Sequence, residues 1–268
     1  MNFGSLKEKC EYYRGLTDYR LVPNSYIIAM VDGHCFSKMI KNKFKKPFDD
    51  DFIDMMNETA KYLCENIQGA KMAYVQSDEI SVLITDFDTP ETDSFFGFRL
   101  CKMQSLIAAM ATAKFNQMYS RLNVQNKNSK NIDYDKDLTL CTFDAKVWQV
   151  PTFNDAFAWF LYRQNDCERN SKQQTAQTYL PHKVLCGHSA DEQVAMALEQ
   201  KGVNWTSFDD GKKYGRLIYR EHVYLSKIVN NRTIVFDRNQ WRTHPATPFG
   251  EDGNKIKELI PKRDGSVV

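Results

Sequence analysis

The stretch AKMAYVQ-SDE-ISVLIT, residues 70–85, constrains the fold more than any other part of the chain. Two short β-prone apolar runs flank Ser77, Asp78 and Glu79. Strand interiors avoid Asp and Glu, so the acids belong at or near the tip of a β-hairpin. A second run behaves alike. Tyr26–Val31 is continuously apolar and is stopped by Asp32 and Gly33, which reads as a buried strand ending on a carboxylate. Between them, Phe52, Met56, Ala60, Leu63 and Ile67 recur at helical spacing, after Pro47, Asp49 and Asp50, which suit a helix start. Residues 96–122 repeat the pattern, with Ile107, Met110, Ala111 and Phe115 on one face. A polar loop is expected over 123–137, then a strand over Leu138–Val150. The order β-α-β-β-α-β is that of a split βαβ, or ferredoxin-like, unit in an α+β fold. Residues 1–150 form the expected core and 151–268 a helical and mixed α/β extension packed on it. The extension opens with a helix starting at Asn154 or Asp155. A helix at 190–202 and strands at 215–225 and 232–236 follow.

Composition sets limits. The chain has 268 residues, 42% hydrophobic and 26% charged, with net charge +2, which leaves room for a local basic patch but predicts no polyanion partner by itself. No apolar run approaches the ~20 residues of a membrane helix. The N-terminus lacks the apolar centre of a signal peptide. Seven cysteines, with no CxxC pair and no zinc spacing, suggest reduced thiols in a soluble cytoplasmic protein.

In a split βαβ unit the end of the first strand lies beside the hairpin tip, which brings Asp32 to Asp78. Two carboxylates alone repel. Magnesium resolves this, because it takes hard oxygen ligands and completes its shell with water and phosphates. Two such ions can clamp a phosphoryl transfer. An exposed turn rich in Ser and Asp is the other reading of SDE. Lys38, Lys41, Lys43, Lys45 and Lys46 crowd the segment after Asp32. Such a run is usually a solvated face; beside a metal pair it suits a triphosphate. Arg99 and Lys102, one turn apart, extend the same basic set.

Four ordered segments, VDGHCFSKM with FKKPFDDDF, AYVQSDEISVLI, FDAKVWQVP and LYRQNDCERNS, resemble the motifs of the tRNA-histidine guanylyltransferase superfamily. Weaker likeness runs through GHSADEQ and KKYGRLIYRE. The resemblance implies a polymerase-palm-like core that adds nucleotides to the 5′ end of RNA in the 3′-to-5′ direction, with two Mg2+ ions and ATP or GTP as substrates. It implies metal ligation by Asp32, the Gly33 carbonyl and Asp78, with Glu79 as the adjoining catalytic acid. It implies nucleotide contacts at His34, Cys35, Phe36, Lys46, Ser77 and Lys102, and RNA contacts at Arg163, Asn170 and Ser171. A homotetramer and a tRNA-like partner with a truncated 5′ end follow from it as well.

The match has departures. Met30 and His34 stand where the family usually has arginines, and a triphosphate-contacting Asn falls near Gln174. Histidine-tRNA enzymes carry HINNLYN after RQADC; here RQNDCERNSKQQ places Glu168 at the His position. That pattern is similar to the tRNA-guanylyltransferase-like proteins, which repair truncated 5′ ends against a template. The alternatives are a histidine-specific guanylyltransferase, another palm-fold transferase or cyclase, and a tRNA-binding protein without turnover. Trp241, among the basic residues of NRTIVFDRNQWRTHP, is expected either to stack on RNA bases or to be buried in a small C-terminal lobe.

Overall fold

The computed structural model describes residues 3–89, 91–126, 140–229, 232–250 and 254–263. Six strands, β1 (Tyr26–His34), β2 (Ala70–Gln76), β3 (Glu79–Ile84), β4 (Thr142–Val150), β5 (Arg216–Val229) and β6 (Arg232–Pro245), form one sheet ordered β4-β1-β3-β2-β5-β6. Every neighbouring pair is antiparallel. The helices are α1 (Leu6–Gly15), α2 (Phe36–Lys43), α3 (Asp50–Asn66), α4 (Leu100–Asn126), α5 (Phe153–Tyr179), α6 (His182–Leu185), α7 (Ala190–Lys201), α8 (Asp210–Lys213) and α9 (Asn254–Leu259). The first four strands, with α3 and α4 as crossovers, make the expected split βαβ unit, and α2 is a short insertion after β1.

Both faces of the sheet are covered, which is why β1 reads as an unbroken apolar run. Side chains alternate along a strand. Ile27, Ala29 and Val31 face α3 and α4, where Met56, Leu63, Ile107 and Phe115 complete one core. Tyr26 and Ile28 face the other way, against Ala156 and Phe160 of α5 and Ile256 of α9. The expected split at residue 150 therefore falls within a shared core, since β5 and β6 extend the same sheet through β2.

The structure corrects several expected boundaries. Helix α4 continues to Asn126, into the stretch expected as loop. Residues 127–139, the rest of that loop and the first two residues of the expected strand, lie outside the described residues. Leu140 and Cys141 precede the strand, and β4 begins at Thr142. Helix α5 is capped by Thr152, not by Asn154 or Asp155. Asp155 is the reciprocal partner in a capping box with Thr152. Strands β5 and β6 run well past the expected segments and pair along their whole length. Only Arg216–Tyr219 of β5 also pair with β2, so the rest of the hairpin projects from the sheet with Tyr224, Ile234 and Val235 exposed. Trp241 is 5% exposed in the principal core, with Arg220 over its ring, so it stacks on no RNA base and sits in no separate lobe. No disulfide joins the seven cysteines, and no described helix is long and apolar enough to cross a membrane.

Candidate active site

The site forms where β1 ends. Asp32 lies in register with Glu79 on one side and Asp144 on the other. The Gly33 amide donates to the Asp78 carbonyl at 3.1 Å, which ties the hairpin tip to the end of β1. Only glycine fits at position 33, because a Cβ there would stand 2.5 Å from the Phe36 ring. Phe36 in turn packs on Phe115 and Phe143. Cys35 takes the left-handed conformation, φ 59, and turns the chain into α2, whose first turn has no side-chain cap. Its amides are therefore donors without a side-chain acceptor. Ser77, at φ 43, makes the tight turn between β2 and β3, a costly conformation for a residue with a Cβ. Its hydroxyl donates to Asp78 Oδ1 at 2.9 Å.

Burial raises Asp32, Asp78 and Glu79, and neighbouring acids add to it at Asp32 and Glu79. Burial, followed by repulsion from Asp78, Glu79 and Asp144, pushes the Asp32 carboxyl up to about 6. Burial raises Asp78 against the lowering hydrogen bond from Ser77. Burial also raises Glu79, against the pull of Arg163. Arg163 grips Glu79 with a two-pronged fork, 2.8 Å to Oε1 and 2.6 Å to Oε2, and bonds Asp166 at 3.0 Å. Its guanidinium carbon lies 5.1 Å from the centre of the Tyr162 ring and 5.7 Å from that of Trp159. Glu79 is thus locked, while Asp32 has acids on both neighbouring strands. Among the described residues no group of three or more His, Cys, Asp and Glu is placed to cage a metal. An open pair of carboxylates is the donor set magnesium uses, since that ion keeps water and phosphate in its shell.

A cleft of about 290 Å3 opens beside the acids, close to the lower size of small-ligand sites. Ile40, Phe44, Phe48, Phe52 and Ile53 make an apolar wall, and residues 76–79 of the hairpin make the acidic end. Arg163, Cys167, Asn170, Ser171 and Gln174 line it from one face of α5, and Lys45, Lys212 and Arg216 supply further cations.

The structure brings Asp32, Ser77, Asp78, Glu79, Arg163, Asn170 and Ser171 to this cleft. Gly33, His34, Cys35 and Phe36 follow directly on Asp32. Of the three residues expected to contact RNA, only Asn170 is exposed. Arg163 is committed to two carboxylates. Ser171 is buried, donates to backbone carbonyls and accepts from Trp205 Nε1 at 3.1 Å. Lys46 is exposed beside Lys45, and Lys45 is the one on the lining.

Arg99 and Lys102 are not on the cleft lining. Arg99 pairs with Asp18 at 2.6 Å and Lys102 lies over Phe96. Helix α4 approaches the acidic end at Thr112, whose hydroxyl accepts from the Phe143 amide next to Asp144. Lys102 is ten residues earlier, about 15 Å back along the helix axis. Sequence reasoning did not single out Asp144, Lys212 or Arg216. Asp144 lay in a recognised motif, but its relation to Asp32 needs the β1–β4 register.

A family model described as tRNAHis guanylyltransferase matches residues 7–151. The tRNA(His) guanylyltransferase of Debaryomyces hansenii is 29% identical over 215 residues, 76% of this chain and 77% of that protein. A bacterial tRNA(His) guanylyltransferase-like protein solved in complex with ATP superposes with a TM-score of 0.79 at 30% identity, covering 96% of this chain and 99% of that one. Such a protein in complex with GTP gives 0.74 at 28% identity, over 95% and 98%.

Proposed function

Because the chain belongs to the tRNA(His) guanylyltransferase family, a family of nucleotidyltransferases, we propose that it adds nucleotides to the 5′ end of truncated tRNA, in the 3′-to-5′ direction and against a template. The observation that carries the reading is the pair Asp32 and Asp78, on separate segments and joined through the Gly33–Asp78 bond, at the acidic end of a cleft with cations along it.

Residues 1–150 act in this reading as a palm-type catalytic core and residues 151–268 close the cleft over it. Asp32, Asp78 and the Gly33 carbonyl hold magnesium, which when bound offsets the negative charge of the facing phosphates. Glu79, fixed by Arg163, stands behind them. Ser77, Lys46 and the chain from His34, the last residue of β1, to Phe36, the first of α2, hold the triphosphate of the activating nucleotide. The RNA 5′-phosphate attacks the α-phosphate of ATP or GTP and pyrophosphate leaves. The 3′-hydroxyl of the next nucleotide then attacks the activated end and displaces the nucleoside monophosphate. Positioning and charge stabilisation carry both displacements. Glu168, in an i,i+4 pair with Lys172, removes the His of the histidine-specific pattern and favours repair. The projecting β5–β6 hairpin, too thin to bury its own apolar side chains, serves self-association into a tetramer. Seven cysteines held as thiols suit a cytoplasmic enzyme.

The test is incubation of 5′-labelled tRNA lacking its first nucleotide with NTPs and magnesium. Extended product is expected from the natural chain and none from Asp32→Ala or Asp78→Ala. Near-normal extension by either variant overturns the reading.

A further inference from the structure

Arg216 is a buried cation of the cleft that no carboxylate of the described residues neutralises. It opens β5 and lines the cleft with Cys167, Ser171 and Lys212. Its residue exposure is 6%. Nε donates to Asn57 Oδ1 at 3.0 Å and Nη1 to the Gly211 carbonyl at 3.3 Å, while Nη2 has no acceptor. Both acceptors are neutral, so they orient the guanidinium without cancelling its charge. Among the described residues it forms no ion pair; Asp209 and Asp54 act on it only from a distance. The other cations near it are committed or hydrated. Arg163 is paired with Glu79, Lys212 with Asp50 and Asp209, and Lys45 is exposed.

The placement is built. Gly215 sits at φ 84 against Tyr74, where a Cβ would come 2.5 Å from the phenolic oxygen. Tyr74 donates to the Tyr214 carbonyl at 2.7 Å. The chain is thus pinned on the residue before Arg216. A charge taken out of water without a partner is strongly unfavourable, and a fold that fixes one beside a ligand-sized opening leaves the balancing charge to the ligand.

We propose that Arg216 is the fixed counter-charge for the polyphosphate of the nucleotide bound in this cleft. The proposal rests on the nucleotidyltransferase reading above and adds a residue outside the four principal motifs, in KKYGRLIYRE, the segment of weaker likeness. In this arrangement the metal pair faces the reacting phosphate and the buried guanidinium draws the rest of the chain of phosphates inward.

The experiment is calorimetric titration of the full chain with ATP, inorganic tripolyphosphate and adenosine, in magnesium buffer, together with melting curves of the ligand-free protein. Arg216→Met is expected to weaken ATP and tripolyphosphate by about 10- to 100-fold, the range for a hydrogen-bonded charge. Adenosine binding stays unchanged, and the ligand-free melting temperature does not fall, because the unbalanced charge is gone. Arg216→Lys, which keeps the charge, recovers part of the affinity. If Arg216→Met does not fold, Arg216→Gln carries the same comparison. Unchanged ATP and tripolyphosphate affinity in a folded variant overturns the proposal, as does a lowered melting temperature with affinities intact. Natural protein that binds tripolyphosphate in an Arg216-dependent way but binds no nucleotide keeps the anion site and removes the nucleotidyltransferase reading instead.

Discussion

Replacing Asp32 by Asn is expected to stabilise the metal-free protein at neutral pH while destroying its activity. The Asp32 carboxyl sits at about 6 against an ordinary 3.8, raised first by burial and then by Asp78, Glu79 and Asp144. A carboxyl whose folded value lies above its unfolded one keeps its proton longer in the fold. Stability therefore declines as pH rises from about 4 to about 6 and stays at the lower level above that. A shift of about 2 units corresponds to about 3 kcal/mol. Asp32 is partly exposed, so solvent screening reduces the usable figure to about 1–3 kcal/mol. Asn keeps the shape and removes the charge. In a chain of this size that difference raises the melting temperature by about 2–10 °C. The assay is differential scanning calorimetry of both proteins in EDTA at pH 4.5 and pH 7.5, then in magnesium at pH 7.5. Asp32→Asn should melt higher in EDTA at pH 7.5, with the gap narrowing at pH 4.5. Magnesium should stabilise the natural chain and leave the variant unmoved. A variant that melts lower than the natural chain in EDTA at pH 7.5 would refute the argument, since Asp32 would then be held by favourable partners and not compressed among acids.

Arg163→Leu strands Glu79 in a site where the two side chains are 13% and 11% exposed, so a loss of about 3–5 kcal/mol is expected in urea unfolding; a loss under 1 kcal/mol would place the fork among ordinary surface pairs. Gly33→Ala drives a methyl into Phe36, at 2.5 Å, and should cost about 1–3 kcal/mol by the same measurement, together with most of the activity; a neutral result would mean that α2 shifts freely. Lys46→Ala should slow addition to a 5′-monophosphorylated RNA far more than to a 5′-triphosphorylated one, and equal defects on the two substrates would remove Lys46 from the activation step.

The sequence made the heart of the site legible because its signals are local. The hairpin around Ser77–Glu79 and the β1 run ending at Asp32 each announce a strand end with an acid on it, and the split βαβ order then sets them side by side. What escaped depends on register or on distant contacts. Asp144 lies on the edge strand β4 and meets Asp32 only through the β1–β4 pairing. Arg216 reads as one more basic residue at the start of a strand until the fold seals it behind Asn57 and Gly211, 159 and 5 positions away. Lys102 differs in kind. Its motif position suggested a nucleotide contact, and its amine lies over the Phe96 ring, off the cleft lining. Arg163 was expected to meet RNA and instead positions an acid, a partner 84 residues distant. The Thr152 cap lies two residues ahead of Asn154 and three ahead of Asp155, its box partner and itself a good cap candidate.

Template dependence is the most direct test of the account. Two tRNAs lacking the first 5′ nucleotide, identical except for C or A at the opposite base, are offered all four NTPs in competition. Pairing leaves no polar edge unmatched, and a mismatch costs about 1–3 kcal/mol, or about a five- to hundredfold preference. The account predicts GTP addition opposite C and UTP addition opposite A by the same enzyme. GTP addition regardless of the opposite base, and best on full-length histidine tRNA, would contradict it.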